Sequence, residues 1–475
     1  MDVYVASLAS ATVASTVYCH AVIKGTVTLS DNFFYFKFQS NYPGDVIVGI
    51  YQAILETPFI PWRLRHALEV WSETRGWREY PALYRWLRFG QISDPISQVT
   101  CGPKHHFFGY YDKPPWNASG SLMLAHEAEF NDRPPGDEDS VAIGIVRLDQ
   151  GNRFEPLGQS SAWNWQQGAM LQWHPADPEN LLLHNDRRDG QFVCVVRDKT
   201  GRELAELNRP IYAVSPDGRT GYSLNFARLH THRPGYGYAG CSDPWANDPH
   251  PDGDGLYRVD LANGQSELII SLHQLAHTNP SPEMAGVFHW INHIQIAPDG
   301  KHFAFFHIWR VGESGWHVRL YTADANGKNL NCLLSTEFVS HYDWLDNEQI
   351  LIWAKDSDSR GHFWLLRNGS DERKVIGGGE LTEDGHCNFS PDRRWVLNDT
   401  YPDGYGLRTL MLYAWPDGPR VDIARLYSPK ERWWGEIRCD LHPRWNRDGR
   451  QVCIDSVHNG ERQMYLVDVG RIVQK

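Results

Sequence analysis

From about residue 100 onward, short apolar or aromatic runs alternate with clusters of Gly, Asp, Asn and Pro. That texture predicts strands and turns rather than helices, because apolar residues recur without the 3.6-residue period of a buried helical face. One phrase repeats: an apolar run, a tight turn cluster, then a second apolar run. It reads IQIAPDGKHFAFFH (294–307), YAVSPDGRTGYSLN (212–225), CNFSPDRRWVLNDT (387–400) and PRWNRDGRQVCIDS (443–456). Looser copies are PPWNASGSLMLAH (114–126), LQWHPADPENLLLH (171–184) and YDWLDNEQILIWA (342–354). Pro-Asp-Gly suits a β-turn between two antiparallel strands. Each copy is followed by a further strand pair, such as WHVRLYTAD (316–324) or RQMYLVDV (462–469). Four strands per unit and seven units predict an all-β fold, a seven-bladed β-propeller.

Residues 61–90 differ. Leu64, Ala67, Leu68 and Trp71, and then Leu83, Trp86 and Leu87, fall at helical spacing, bracketed by Pro61, Gly76, Pro81 and Gly90. They predict two short amphipathic helices whose Arg residues form a solvated face. The chain thus divides into an N-terminal extension (1–98) and a propeller carrying the chemistry (99–475). Residues 1–30 are apolar and Ser/Thr/Ala-rich, but Asp2 follows Met1 and no apolar run reaches transmembrane length, so neither a clean signal peptide nor a membrane span is expected.

Aligning the copies on their turns gives one equivalent position at the end of each second strand: His126, His184, Asn225, His307, Ala354, Thr400 and Ser456. A second series, five residues ahead of the turn, includes His293, His386 and His442. For a single His, a satisfied structural role is the default; for convergent titratable groups, a site is the better reading. The first unit opens with KHHFFGYYDKPPWN (104–117), and the third continues as NFARLHTHRPGYGY (225–238), which adds Arg228, His230, His232 and Arg233. Arg310 occupies the matching place in the fourth unit.

Composition narrows the chemistry. A formal net charge of −12 argues against nucleic acid as a partner and requires that cations meeting an anionic substrate be gathered locally. The 20 Trp suit both blade packing and sugar stacking, with packing favoured. Eight scattered Cys without a CxxC pair set no redox compartment. Nucleophile-elbow, Walker and Rossmann patterns are absent. The ring offers His, Asn, Tyr and Arg rather than the paired carboxylates of a glycosidase. That set fits proton abstraction beside a carboxylate: Arg or Asn neutralises the acid group, and His or Tyr serve as base and acid.

The HHFFGYYDKPPWN segment, His126 twenty residues after His106, and Tyr212 sixteen residues ahead of Arg228 resemble the ulvan lyases, polysaccharide lyases built on a seven-bladed propeller. The resemblance covers residues 100–470 by repeat pattern, with specific matches in the first and third blades. It implies β-elimination on a uronate-containing anionic polysaccharide by a secreted or periplasmic enzyme; a monomer is expected. His106, His126, Tyr212 and Arg228 are its catalytic residues, with Arg228 neutralising the carboxylate. Tyr111, Asn225, His232, His184 and Arg310 line the substrate cleft. It also implies a structural zinc held by His and Cys, for which His293, His307, His386 and Cys387 are the candidates. A propeller that binds sugar or protein without catalysis, and an intracellular uronate-glycan processing enzyme, are the alternatives.

Overall fold

The computed structural model describes residues 96–474 except Glu337 and Tyr405, together with the backbone of four strands nearer the N-terminus. The chain falls into two compact units, Met1–Ile92 and Ser93–Lys475. In the first, Val3–Val5 pairs with Phe33–Phe38, which pairs with Lys24–Ser30, which pairs with Val17–His20, all antiparallel. The helices expected over 61–90 lie outside the described residues. No helix among the described residues is long and apolar enough to cross a membrane.

The second unit contains seven four-stranded antiparallel sheets, the blades of the expected propeller. Innermost strands are, for blades one to seven, His105–Phe107, Gln172–Trp173, Ala213–Val214, His289–Ile296, Val339–Trp344, Asn388–Phe389 and Arg444–Trp445. The repeated phrase is the hairpin joining each innermost strand to the second. In blade three, Gly218 N–H donates to the Ser215 carbonyl at 2.8 Å and the Ser215 hydroxyl binds Asp217 at 2.6 Å. Gly218 takes a φ of 72°, and Gly300 and Gly449 repeat it. Blade six has Arg393 there, held at φ 61°, a left-handed conformation that costs a side chain about 1–2 kcal/mol.

The ring is closed by chain ends. Ile96–Gln98 pairs with Gln463–Asp468 as the outer strand of blade seven, three residues upstream of the boundary read from the sequence. A buried ion pair then ties blade seven to blade one. Arg444 Nη2 donates to Asp455 at 2.7 Å and to the Gly109 carbonyl at 2.6 Å, and Arg444 Nε donates to the Tyr110 carbonyl at 3.0 Å. Asp455 in turn accepts from the N–H groups of Phe108 and Gly109. Gly109 is required: at φ 125° a Cβ would sit 2.9 Å from the Gln167 carbonyl oxygen. This clamp fixes Tyr110 and Tyr111 at the axis.

Two helices interrupt the blades, both on the face where innermost strands begin. Helix α1 (Phe226–His232) follows the second strand of blade three, and α2 (Leu272–His277) follows its outer strand.

Candidate functional site on the propeller axis

Four histidines stand on or just ahead of the innermost strands of blades four to seven: His293 and His341 within theirs, and His386 and His442 two residues before theirs. Their imidazoles gather around the Tyr110 ring. Ring centroids lie 5.2 Å from Tyr110 for His293, 6.5 Å for His341, 6.1 Å for His386 and 5.0 Å for His442. His341 and His386 approach to 4.0 Å, and His386 and His442 to 4.4 Å. Local backbone irregularity aims them. The pairing register shifts between Asn292 and Gln295 in blade four and between Val339 and Tyr342 in blade five, and such bulges redirect a side chain. His293 and His442 also carry positive φ, 54° and 41°, which costs on the order of 1–3 kcal/mol each and persists only where packing imposes it.

Around the imidazoles stand Tyr111, Tyr236 and Tyr401, with ring contacts to His341 or His386 at 5.4–6.3 Å for Tyr111 and Tyr401, and to His293 at 5.6 Å for Tyr236. One buried carboxylate, Asp440, meets two arginines: Arg438 Nε at 2.7 Å and Arg408 Nη2 at 2.7 Å. Arg438 Nη2 also donates to the Tyr236 hydroxyl at 2.6 Å.

Burial sets the charge states. It holds the His293 and His442 imidazoles well below their ordinary range, reinforced by the neighbouring His341 and His386 respectively, and it lowers His341. It lifts the Tyr110 and Tyr401 phenols well above theirs. For Asp440, burial opposes ionisation, but Arg438 and Arg408 overcome it and hold the carboxyl well below the carboxylate range. The site therefore presents neutral imidazoles at His293, His341 and His442, protonated phenols at Tyr110 and Tyr401, and the Asp440 carboxylate between two guanidiniums.

Three of these groups fit a cation. Ligand atoms of His386, Asp440 and His442 lie within 4.8 Å of one another. His386 Nδ1 meets the buried Asp399 carboxylate at 2.9 Å, the outer contact that orients a ligating imidazole. Its Nε2, and that of His442, are buried without a hydrogen-bond partner. Two imidazole nitrogens without a hydrogen-bond partner and a carboxylate are a donor set for a divalent transition ion.

The residues singled out in the sequence separate into two groups. His293, His386 and Tyr111 join the axial cluster. Tyr212 borders it, accepting from Gln167 Nε2 at 2.7 Å and donating to Asn292 Oδ1 at 3.3 Å. The Tyr111 hydroxyl donates to the Tyr342 carbonyl at 2.9 Å and accepts from the Tyr342 N–H at 3.1 Å. Cys387 follows His386, but its thiol faces the His341 carbonyl at 3.9 Å, and burial raises its pKa well above the thiol range. The Cys387 sulfur is not among the ligand atoms that gather with His386, Asp440 and His442.

The ring at the ends of the second strands does not line the axis, since these residues sit one strand further out. His126 is buried, stacks on Phe107 at 4.8 Å, and accepts from the Ala169 N–H at 3.0 Å. Burial lowers its pKa to about 3. His184 accepts from Arg197 Nε at 3.2 Å, and burial lowers it to about 4. His307 meets His289 at 2.8 Å, away from the zinc set expected for it. His106 lies between Gln463 at 3.0 Å and Glu127 at 3.2 Å.

Arg228 has a task different from carboxylate neutralisation. It donates through Nε to the His289 carbonyl, through Nη1 to Asp243 and the Trp245 carbonyl, and through Nη2 to the Asp248 and Pro249 carbonyls, at 2.7–3.2 Å. All five guanidinium donors are thus committed, four to the loop after α1 and one to the innermost strand of blade four. Asn225 caps α1, accepting from the Arg228 N–H at 3.0 Å, and binds Asp243 and Asp254 at 2.8 Å each. His232 is stacked between Phe288 and Trp290, and its carbonyl accepts from Arg310 at 2.9 Å.

His341, Tyr236, Tyr401, Arg408, Arg438 and Asp440 were missed by the sequence reading. The signal for His341 was available: it stands immediately before the fifth copy, as His293, His386 and His442 stand before theirs. Tyr236 lies within the quoted third-blade segment, and Asp440 two residues before His442.

No family model and no curated protein matches the sequence. Solved structures do match in fold. An oligogalacturonate lyase from Vibrio parahaemolyticus superposes with a TM-score of 0.56 at 12% identity, over 80% of this chain and 94% of that one. An oligogalacturonate lyase in complex with manganese gives 0.58 at 16% identity, over 81% and 96%. At these identities the likeness establishes the propeller: this chain is similar in architecture to those lyases.

Proposed function

We propose that this protein is a lyase that cleaves a uronate-containing oligo- or polysaccharide by β-elimination at the axial cluster. The observation that carries the reading is the convergence of neutral imidazoles and protonated phenols beside an acceptor set for a divalent cation. The two propeller lyases of similar fold, one of them holding manganese, support the same chemistry.

His386, His442 and Asp440 are the residues that would hold the ion. Bound there, a divalent cation supplies the charge that draws a uronate carboxylate and acidifies the adjacent C5–H. His293 is the base. With its Nε2 hydrogen directed to the Tyr110 hydroxyl, its Nδ1, buried and without a partner, offers the lone pair. That nitrogen takes the C5 proton, the C5–H electrons form the C4=C5 bond, and the C4–O bond breaks. The Tyr236 hydroxyl delivers a proton to the departing oxygen, and the Arg438 guanidinium stabilises the charge left on the phenol. Tyr212 acts one step back: Asn292 Oδ1 accepts from its hydroxyl and from the His293 N–H at 2.9 Å, which fixes the base. In this reading the ion takes the part that the resemblance gave to Arg228.

The test is ultraviolet absorbance of the conjugated unsaturated uronate during incubation with oligogalacturonate, ulvan and other uronate polymers. His293→Ala and Tyr236→Phe should each lower the rate about 10²- to 10⁴-fold while the fold persists. Wild-type rates in either variant refute these assignments. The polymer giving the fastest rate identifies the substrate class.

A further inference from the structure

A second group of three histidines lies outside the axial cluster, on the same face and at the edge of blade three. His273 and His277 stand four residues apart on α2, so they share one side of the helix. His250 comes from the loop after α1. The three offer ligand nitrogens within 4.8 Å of one another. Their ring centroids are 4.1 Å apart for His273 and His277, 5.7 Å for His250 and His273, and 5.4 Å for His250 and His277. We propose that His250, His273 and His277 form a binding site for a divalent transition ion of the zinc class, separate from the axial site.

Three observations carry it. His277 Nδ1 donates to the His273 carbonyl at 2.8 Å. That contact fixes the tautomer and leaves Nε2 as the lone-pair nitrogen, as in ligating histidines generally. His250 Nδ1 is buried without a hydrogen-bond partner, a cost that coordination removes. The loop and the helix are also already pinned together. His273 N–H donates to the Pro251 carbonyl at 3.2 Å, Leu272 N–H to the Asp254 carbonyl at 2.8 Å, and the Ser271 hydroxyl to Asp252 at 3.0 Å. Zinc–nitrogen bonds of about 2.0–2.1 Å place tetrahedral ligands about 3.4 Å apart. Rotation of the exposed His273 side chain toward the fixed His277 ring closes the remaining distance. Three imidazoles leave a fourth position to water.

The consequence is mechanical. The loop that supplies His250 also supplies the Asp248 and Pro249 carbonyls that hold Arg228. An ion bridging this loop to α2 braces the insertion of blade three from its outer side.

The test uses the full chain, stripped with chelator and titrated with zinc alone. Wild type should bind one more zinc per chain than His273→Gln/His277→Gln, and its melting temperature should rise with zinc more than that of the variant. Both substituted side chains are exposed, so the variant should fold. Equal zinc stoichiometry and equal thermal response in the two proteins overturn the proposal. His442→Asn serves as the independent control: loss of zinc there alone reports the axial site and leaves the three-histidine site without support.

Discussion

Acidification should expose the structural task of His126. Its ring is fully buried, stacked on Phe107, with Nε2 accepting from the Ala169 N–H and Nδ1 facing no partner. In the neutral ring Nδ1 carries the hydrogen, so a second proton would have to enter at Nε2, directly against the Ala169 N–H that it accepts. Burial lowers the folded-state pKa from 6.5 to about 3, so the neutral form is retained on folding. A depressed histidine contributes stability in full above its unfolded pKa and loses it as pH falls toward the folded one. A difference of about 3.5 units at about 1.4 kcal/mol each is about 5 kcal/mol over the whole window, of which about 3 kcal/mol is lost between pH 7.5 and 4.5. His126→Phe keeps the stack but leaves the Ala169 N–H unpaired, which costs about 1–3 kcal/mol at pH 7.5. Denaturant unfolding of both proteins from pH 7.5 to 4.5 is the assay. Wild type starts more stable, and its advantage should shrink by about 3 kcal/mol. An advantage unchanged across that range would refute the reasoning.

Other outcomes follow from the same geometry. Arg228→Met removes the cation paired with the buried Asp243 carboxylate and the side-chain donor to four carbonyls, so it should destabilise by about 3–5 kcal/mol, seen in thermal unfolding. Were Arg228 a substrate contact alone, stability would hold and only KM would rise. His386→Asn and His442→Asn should each abolish retention of one manganese per chain, measured by elemental analysis after dialysis. Tyr111→Phe removes a buried hydroxyl that both donates to and accepts from the Tyr342 backbone, so it should cost about 1–3 kcal/mol, read by denaturant midpoint.

The propeller was legible because its turn chemistry repeats: Ser-Pro-Asp-Gly at 215–218 and its relatives each demand a tight hairpin, and seven recurrences leave little choice of fold. The axial site was half legible. The residue before each turn copy gave His293, His386 and His442, yet the ends of the second strands drew equal weight. Radial position decides between the two series, and it depends on strand order within a blade, which periodicity does not carry. Arg228 misled for a related reason. Its spacing from Tyr212 matches a lyase pattern, but only the folded chain shows five acceptors closing around it. Asp440 and Arg408 could not be paired from sequence, since Arg408 sits on the third strand of blade six and Asp440 on the approach to blade seven, and they meet only when the two blades pack side by side.

The proposed metal-assisted β-elimination at the axial cluster would yield an unsaturated uronate only while the ion is bound. Formation of unsaturated uronate from oligogalacturonate and ulvan is followed by ultraviolet absorbance for the full chain loaded with manganese, stripped with chelator, and reloaded. The account predicts product from at least one polymer, loss on stripping and return on reloading. Absence of absorbance change from every polymer with the manganese-loaded protein would contradict it.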